Sequence, residues 1–317
     1  MDLSVVIPVY NEEESLEPLL GELRAALDPT GKSYEIIVVD DGSTDGTYPA
    51  LRRLYQGDGR LRAVRLKKNF GQTAAVAAGF AHAEGDVIVA MDGDGQNDPK
   101  DIPAMLDKLE EGFDLVSGWR FPRQDPFWRR RLPSRVANGL ISWITGVRLH
   151  DYGCTLKALR HDIAREVKLY GEMHRFIPAI AFERGARIAE MRVHHRPRRW
   201  GASKYGMARV FRVVLDLLTV KFMLSYATRP LHIFGLIGLF SGGLGFLLAV
   251  YLTFEKIVYK TAIGGRPLLL LSILLIVIGF QFITMGLLGE MLARTYHESQ
   301  GKTIYSVKEI LDGRKTA

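Results

Sequence analysis

Two long apolar stretches near the C-terminus constrain this chain more than any other feature of its sequence. Residues 231–254 are 24 positions without an Asp, Glu, Lys or Arg, and residues 268–289 are a second such run of 22. At about 1.5 Å per residue, either stretch forms a helix long enough to cross a hydrocarbon layer of about 30 Å. Buried helices of soluble domains rarely run so far without a charge. We therefore predict two transmembrane helices joined by the short loop 255–267.

The distribution of basic residues predicts how these helices are oriented. Two spans return the C-terminal tail to the side of the N-terminal domain, and lysines and arginines flank the spans on that side: Lys221, Arg229, Arg294, Lys302, Lys308, Arg314 and Lys315. The loop carries Lys256, Lys260 and Arg266, so the bias is moderate. We expect a multi-pass protein of the inner (cytoplasmic) membrane with the large domain in the cytoplasm. No basic segment precedes the first strand-like run, so no signal peptide is expected.

The charge balance points to an anionic partner. The net charge is +7 and the pI is near 9.4, which fits nucleic acid or membrane phosphates. The basic residues cluster beside the apolar stretches rather than on a candidate recognition helix, so we expect the bilayer as a partner and no nucleic acid. The single cysteine, Cys154, agrees with a reducing compartment and is predicted to be an inert core residue.

The first 120 residues alternate short β-branched runs with amphipathic helical stretches. Strands are predicted at 3–7, 35–39, 61–66, 87–91 and 115–117, and helices at 13–26, 48–55, 73–83 and 99–110. This alternation is typical of βαβ units and predicts an α/β fold with a mostly parallel sheet. Residues 205–227 form a basic, amphipathic stretch, predicted to be a helix lying in the membrane interface.

Polar motifs follow three of the predicted strands. Ligands of open α/β sheets bind at the carboxyl ends of the strands, where these motifs are predicted to meet. They comprise Pro8, Tyr10, Asn11 and Glu12 after the first strand, Asp40 and Asp41 after the second, and Asp92, Gly93, Asp94 and Gln96 after the fourth.

The motif after the fourth strand is a candidate metal site. Asp92 and Asp94 can share a hard divalent cation whose other ligands are diphosphate oxygens, and Gln96 adds a neutral oxygen. Asp-Gly pairs also occur in ordinary turns, so the motif by itself would be weak. Its position after a strand and its companion loops favour the metal site.

The loop after the second strand is a candidate nucleotide site. It lacks the spaced ligands and terminal Glu of an EF-hand, which argues against calcium. A carboxylate at a strand end can instead accept hydrogen bonds from a nucleobase or a ribose. We assign Asp40 to the base, with Pro8 and Tyr10 as the wall of its pocket.

Four ordered motifs resemble family 2 glycosyltransferases. They are Val5-Val6-Ile7-Pro8-Val9-Tyr10-Asn11-Glu12-Glu13, Val39-Asp40-Asp41-Gly42-Ser43-Thr44-Asp45-Gly46-Thr47, Asn69-Phe70-Gly71-Gln72 and Asp92-Gly93-Asp94-Gly95-Gln96. With the two C-terminal spans, the chain is similar to the polyprenyl-phosphate glycosyltransferases within that family. The resemblance implies a Rossmann-like GT-A fold, a UDP- or GDP-linked hexose donor, Mg²⁺ or Mn²⁺, inversion, a polyprenyl phosphate acceptor and a homotetramer. The lipid-linked product would serve cell-envelope glycan or protein glycosylation.

The resemblance also implies roles for single residues and a division of the chain. The donor would contact Pro8, Tyr10, Asn11, Glu12, Asp40, Asp41, Gly71, Gln72, Asp92 and Gly93. The catalytic domain would cover residues 1–204, followed by an interfacial helix at 205–230, a transmembrane hairpin at 231–292 and a cytoplasmic tail at 293–317.

Two arginine-rich segments are candidates for binding phosphate. One is 119–135, and the other, 195–212, contains a segment similar to the family's R-x-x-G-x-S-K pattern. Much of this charge would serve equally as a solvated or membrane-facing surface. Guanidinium groups hold phosphate oxygens bidentately, and we assign the donor and acceptor phosphates to Arg120, Arg123, Arg198, Ser203 and Lys204. His194 and His195 have no apparent third partner for a metal.

Asp151 is the second candidate catalytic residue beside Asp94. The segment from Asp151 to Lys157 resembles the one that supplies a catalytic carboxylate in relatives, although some of them place the acid where Thr155 stands here. The second pKa of a phosphate monoester is about 6, so the acceptor scarcely needs a base. We therefore predict that Asp151 orients the acceptor or stabilises positive charge on the sugar, and that it matters less than the metal ligands.

Two other functions are compatible with parts of this pattern. A processive polysaccharide synthase shares the domain, but it would need more spans and a Q-x-x-R-W segment, and Arg196 occupies the Gln position before Arg199 and Trp200. A non-catalytic nucleotide-sugar-binding membrane scaffold is disfavoured because the candidate carboxylates and phosphate-binding residues are all present.

Overall fold

The structure is a computed structural model of the protein. It describes residues 1–121, 138–139, 141–142, 145–169, 173–197, 230–260, 262–299 and 304–312. The chain divides into two compact units. The first comprises Met1–Leu218 together with Thr303–Ala317, and the second is Thr219–Lys302. The predicted interfacial helix at 205–230 lies outside the described residues except for Pro230, which begins a helix of the second unit.

The first unit is built on an eight-stranded sheet. The strands are β1 (Leu3–Val9), β2 (Tyr34–Asp40), β3 (Leu61–Leu66), β4 (Val87–Ala90), β5 (Leu115–Arg120), β6 (Lys157–Arg160), β7 (Ile188–Val193) and β8 (Val307–Leu311). Their order is β7-β5-β6-β4-β1-β2-β3-β8. The centre β4-β1-β2-β3 is parallel, whereas β6 and β8 run antiparallel to their neighbours. The sheet is therefore mixed, and all five predicted strands are confirmed.

Six helices of the first unit lie within the described residues. They are α1 (Glu13–Leu27), α2 (Thr47–Gln56), α3 (Gln72–His82), α4 (Ile102–Glu110), α5 (His161–Glu166) and α6 (Ile177–Glu183). Leucines spaced three and four apart on α1 are fully buried, which is the packing that an amphipathic helix adopts on a sheet. The alanine-rich α3 approaches β1 so closely that a Cβ at Gly79 would overlap Val6. The four predicted helices are confirmed.

The last strand comes from the segment predicted to be a cytoplasmic tail. β8 pairs antiparallel with β3, with Val64 opposite Ile310. Residues 307–311 are thus part of the sheet of the first unit, and the helix before them continues to Ser299, beyond the predicted boundary at 292. The added strand covers the edge of β3, which would otherwise present unpaired backbone groups.

A buried ion pair between Arg62 and Asp312 connects the residue that follows β8 to β3. Arg62 Nη2 lies 2.9 Å from Asp312 Oδ2, and both side chains are almost completely buried. Arg62 Nη1 donates to Glu35 Oε2 at 2.9 Å, and Ser4 donates to the other oxygen of Glu35 at 2.7 Å. These polar groups are partners of one another away from water, while Arg62 Nε makes no hydrogen bond within the described residues. Removing one of the groups leaves a buried charge with fewer partners.

Asp312→Asn is expected to loosen β8. The change weakens the ion pair with Arg62, so amide hydrogens of Val307–Leu311 should exchange about tenfold or more faster, in line with a loss of roughly 1–3 kcal/mol for an impaired charged hydrogen bond. Hydrogen exchange read by mass spectrometry measures this. Lys308→Gln, on an exposed position of the same strand, is the control and should exchange like the wild type. Unchanged exchange in Asp312→Asn would contradict the assigned role.

The second unit contains the two apolar helices. They are α7 (Pro230–Tyr259) and α8 (Pro267–Ser299). The segments long enough to cross a membrane are Phe234–Tyr259 and Pro267–Gly289, and their mean hydropathies are 1.9 and 2.6. In the most apolar part of each segment only 22% and 11% of the residues, respectively, are buried, unlike the core helix of a soluble domain. Both predicted helices are confirmed, and their length and exposed apolar surface are those of a membrane protein.

Glycines bring the two apolar helices into close contact. An ideal Cβ at Gly279 would lie 2.6 Å from the carbonyl oxygen of Gly238 and 2.7 Å from Cα of Gly242. Helices in lipid associate largely by such close backbone packing. Gly243, on the same helix, has nothing within 4 Å of its ideal Cβ.

Gly279→Ile is therefore expected to force α7 and α8 apart. Overpacking of this kind costs about 1–3 kcal/mol, which should lower the melting temperature of the detergent-solubilised protein. Gly243→Ile adds the same side chain where space is free, so it is the matched control and should melt like the wild type. Equal melting of the two variants would refute the helix contact.

Candidate active site

The parallel centre of the sheet brings four loops to one edge. The loops follow β1, β2, β3 and β4, and they carry the four motifs identified in the sequence. Because the carboxyl ends of parallel strands meet at the same edge, residues far apart in sequence become neighbours there. The predicted clustering of these motifs is confirmed by their contacts.

Asn11 and Glu12 connect the first loop to the second. The backbone N–H of Asn11 donates to Ser43 Oγ at 3.0 Å, and Asn11 Oδ1 accepts from the N–H of Thr44 at 2.9 Å. The N–H of Glu12 donates to Thr47 Oγ1 at 2.9 Å. Asn11 has a φ of 56°, a left-handed conformation that Asn tolerates better than most residues. Their predicted donor contacts stay a prediction.

Asp41 holds the loop after β3. Its two carboxylate oxygens accept the backbone N–H groups of Phe70 at 2.7 Å and Gly71 at 2.8 Å. Burial raises the pKa of Asp41, and these two hydrogen bonds oppose the rise. Gly71 has a φ of 96°, which favours glycine at this turn. Asp41, predicted to contact the donor, thus shapes the loop that carries Gly71 and Gln72.

Asp40 presents an acceptor at the end of β2. The side chain is completely buried, and its Oδ1 accepts from the N–H of Ser43 at 2.8 Å. Oδ2 lies 3.4 Å from Arg65 Nε, and within the described part of the chain it accepts no hydrogen bond. A buried carboxylate oxygen in this state is suited to accept from a bound nucleobase or ribose.

Asp92 is held at both oxygens. Gln72 Nε2 donates to Oδ1 at 2.6 Å, and Thr155 Oγ1 donates to Oδ2 at 2.7 Å. Burial and the nearby charge of Asp94 raise the pKa of Asp92 to about 6. Pro8 lines a narrow pocket beside Asp92, together with Gln72 and Thr155. Pro8 therefore lies beside the candidate metal loop, and its predicted place in the wall of a base pocket stays a prediction.

The loop from Asp92 to Gln96 carries the oxygen ligands that a hard divalent cation prefers. Asp94 Oδ1 accepts from the N–H of Gln96 at 3.1 Å, which fixes the turn. Among the described residues no three His, Cys, Asp or Glu side chains form a metal cluster. Two carboxylates and an amide oxygen are nevertheless sufficient for a cation that takes its other ligands from substrate phosphates and water.

Close packing explains Gly93 in this loop. An ideal Cβ at Gly93 would lie 2.6 Å from Val9 Cγ1, and the carbonyl oxygen of Gly93 accepts from Ser15 Oγ at 2.8 Å. A larger residue would displace the loop from β1. Gly93, predicted to contact the donor, has at least this packing role.

The segment that precedes the predicted phosphate-binding residues is bonded to the metal loop. The N–H of Arg196 donates to the carbonyl oxygen of Gln96 at 2.9 Å, and Asn97 and His195 form an antiparallel bridge. The guanidinium of Arg196 contacts Glu22 at 2.5 Å and Asp98 at 2.7 Å. The predicted phosphate-binding residues Arg123, Arg198, Ser203 and Lys204 lie outside the described residues.

Asp151 and Arg120 form one ion pair, in which the Asp151 side chain is buried and the Arg120 side chain is 19% exposed. Arg120 Nε donates to Asp151 Oδ2 at 2.7 Å, and Nη2 donates to Oδ1 at 2.9 Å. Burial opposes the charge of Arg120, but the bonds to Asp151 raise its pKa above the usual value. The sequence assigned these residues to separate roles. The structure places them in bidentate contact, and their predicted roles in catalysis and phosphate binding stay predictions.

Two polar residues near Asp92, the half-buried Thr155 and the buried Lys157, had no role predicted from the sequence. Thr155 is the partner of Asp92, and Lys157 donates to the carbonyl oxygen of Cys154. Lys157 is 2% exposed, and burial lowers its pKa. A lysine with apolar residues on both sides at the start of β6 was the available signal. Cys154 itself is buried, which raises its pKa to about 11 and agrees with the predicted inert core residue.

The fold has counterparts among solved structures. The crystal structure of glucosyl-3-phosphoglycerate synthase from Mycobacterium tuberculosis in complex with Mn²⁺ and uridine-diphosphate-glucose superimposes with a TM-score of 0.55. It is 21% identical, and the match covers 69% of this chain and 78% of that one. The likeness supports the predicted GT-A fold.

Two relatives match over almost their whole length. A dodecaprenyl-phosphate galacturonate synthase from Rhizobium johnstonii is 48% identical, covering 100% of this chain and 95% of the relative. An undecaprenyl-phosphate 4-deoxy-4-formamido-L-arabinose transferase from Shewanella sediminis is 39% identical, covering 99% and 94%. Residues 4–169 match the domain described as Glycosyl transferase family 2. The chain belongs to glycosyl transferase family 2, as its motifs predicted.

Proposed function

We propose that this glycosyltransferase moves a sugar from a nucleoside diphosphate to a polyprenyl phosphate, with inversion at the anomeric carbon. The observation that carries the proposal is the meeting of the Asp92–Gln96 loop with the buried Asp40 carboxylate at one edge of the sheet. That edge suits a nucleotide diphosphate. The apolar helices and the polyprenyl-phosphate sugar transferases among the relatives support a lipid acceptor.

The reaction joins two phosphate-bearing substrates. An oxygen of the acceptor phosphate bonds to the anomeric carbon while the bond from that carbon to the donor diphosphate breaks. The nucleoside diphosphate leaves with the electron pair, and the product is a polyprenyl-phosphate sugar. Because the acceptor is mainly dianionic at neutral pH, the protein has to offset negative charge more than to remove a proton.

Asp92, Asp94 and Gln96 would hold Mg²⁺ or Mn²⁺ on the donor side. The bound ion would neutralise the charge that develops on the departing diphosphate. A solved structure of the same fold contains Mn²⁺ and uridine-diphosphate-glucose, which supports this assignment. Asp40 would accept from the base or ribose, and the loop that Asp41 holds would place Gly71 and Gln72 beside the diphosphate.

Arg120 would offset negative charge on the acceptor side. Four further residues are predicted from the sequence to bind phosphate with Arg120: Arg123, Arg198, Ser203 and Lys204. We propose that Asp151 keeps the Arg120 guanidinium oriented through two hydrogen bonds rather than contacting the sugar. A fixed guanidinium loses little freedom when it binds phosphate, which favours tight and oriented binding.

The catalytic site would lie on the cytoplasmic side of the inner membrane. The cytoplasm is the compartment in which nucleotide sugars are made. The charge bias around the two apolar helices supports this orientation. The homotetramer stays a prediction from the family resemblance.

A panel of donors tests the proposed function. The full-length protein in detergent is incubated with undecaprenyl phosphate, Mg²⁺ or Mn²⁺, and radiolabelled UDP-, GDP- or dTDP-sugars, including UDP-galacturonate because of the 48% identical relative. We expect label in an organic-extractable product that needs both the lipid and one of the two ions. Label in a water-soluble polymer would indicate a processive polysaccharide synthase. Donor binding without product would indicate a nucleotide-sugar-binding scaffold.

A further inference from the structure

Two side chains from different parts of the fold hold Asp92. Gln72 begins α3, and Thr155 lies two residues before β6. They donate to different oxygens of the carboxylate, at 2.6 and 2.7 Å. Each oxygen retains a further lone pair, so the carboxylate is oriented without being closed to a cation.

The hydroxyl of Thr155 is itself oriented by a second hydrogen bond. Asn97 Nδ2 donates to Thr155 Oγ1 at 3.1 Å. Because Oγ1 accepts from Asn97, its only hydrogen is directed to Asp92. Asn97 is 3% exposed and is bridged to His195, so this chain of contacts has little freedom to move. Thr155 therefore links Asp92, the first carboxylate of the candidate metal loop, to Asn97, the residue that directly follows this loop.

We propose that Thr155 is a positioning residue for the divalent cation, and that its hydroxyl fixes Asp92 in the orientation that binds the ion. The inference rests on the proposed metal site and extends it to a residue beyond the loop. Partners that orient a ligating carboxylate or imidazole typically contribute about 10- to 100-fold to metal affinity or activity. Hydrogen bonds to a charged carboxylate are also stronger than neutral ones.

Thr155→Val removes the hydroxyl and keeps the shape of the side chain. We expect the Mn²⁺ dissociation constant to rise by about tenfold or more, the lower bound for the loss of such a partner. Thr155→Ser keeps the hydroxyl and should bind Mn²⁺ within about twofold of the wild type. Thr155→Ala removes the hydroxyl without adding bulk, so it provides the same test if the valine does not fold.

The measurement is the electron paramagnetic resonance signal of free Mn²⁺, titrated into the full-length protein with and without UDP. It needs no turnover, so it separates ion binding from catalysis. Thr30→Val is the matched control, because the Thr30 hydroxyl donates only to the carbonyl oxygen of Leu27, before β2 at the opposite edge of the sheet. It should bind Mn²⁺ like the wild type.

The outcomes separate this inference from the proposed function. If the wild-type protein binds no Mn²⁺ in either condition, the metal site itself is refuted. If the wild type binds Mn²⁺ and the folded valine and alanine variants bind it equally well, Thr155 is not a positioning residue. Weaker binding in both variants, with rescue by serine, supports the inference.

Discussion

Asp94→Asn is expected to reduce sugar transfer by about a thousandfold. The asparagine keeps an oxygen that accepts the N–H of Gln96, now at 3.1 Å, so the turn should persist. It removes one of the two negative charges available to a cation, and stabilisation by a catalytic ion amounts to several kcal/mol. About 4 kcal/mol corresponds to a thousandfold in rate. The measurement is the initial rate of lipid-linked product formation at saturating donor.

The control for Asp94→Asn is the same substitution at Asp86. That residue is exposed and lies just before β4, at the other end of the strand. Asp86→Asn should retain wild-type activity, and both variants should melt within about 2 °C of the wild type, as surface changes usually do. Activity of Asp94→Asn near the wild-type level would remove Asp94 from the metal site.

Asp151→Asn is expected mainly to lower the free energy of unfolding of the protein. The asparagine offers one acceptor oxygen and one NH₂ group where the Arg120 guanidinium now donates to two carboxylate oxygens. Removing one partner of a buried ion pair costs about 3–5 kcal/mol, because the remaining charge is left uncompensated. We expect a loss of about 3 kcal/mol in the free energy of unfolding, measured by urea denaturation. Activity should fall less than in Asp94→Asn.

A double-mutant cycle with Arg120→Gln checks the pairing. If Asp151 mainly holds Arg120, the double variant should be more stable than the sum of the single losses predicts, by about 1 kcal/mol or more. Asp107→Asn, at an exposed position of α4, is the control for the substitution itself. An Asp151→Asn protein that is fully stable but less active than Asp94→Asn would assign Asp151 to the reacting centre instead.

Asp94→Asn and Asp151→Asn compare how much the two carboxylates contribute to sugar transfer and to stability. Asp92 and Asp94 lie in a loop at the carboxyl edge, whereas Asp151 is 1% exposed and its carboxylate accepts hydrogen bonds from the Arg120 guanidinium. The sequence placed Asp151 among candidate catalytic residues because of its neighbours along the chain. Its bidentate contact with Arg120, 31 positions away, supports the proposal that it orients that guanidinium, and its catalytic role stays a prediction.

Local patterns were enough to predict much of the fold. The strands β1 to β5 and the helices α1 to α4 follow from the alternation of β-branched and amphipathic runs, which depends only on neighbouring residues. The two apolar helices follow from length and the absence of charge. The meeting of four motifs at one edge follows because parallel strands share a direction.

Contacts between distant residues decided the rest. β8 is a five-residue strand whose pairing with β3 spans most of the chain, and its short alternating pattern does not reveal a partner. The bond from Thr155 to Asp92 and the ion pair of Asp151 with Arg120 depend on where β5 and β6 enter the sheet. The sequence therefore determined which side chains could bind a nucleotide sugar and an ion. Only the tertiary structure decided which residues orient them, because an orienting hydrogen bond requires approach within about 3 Å.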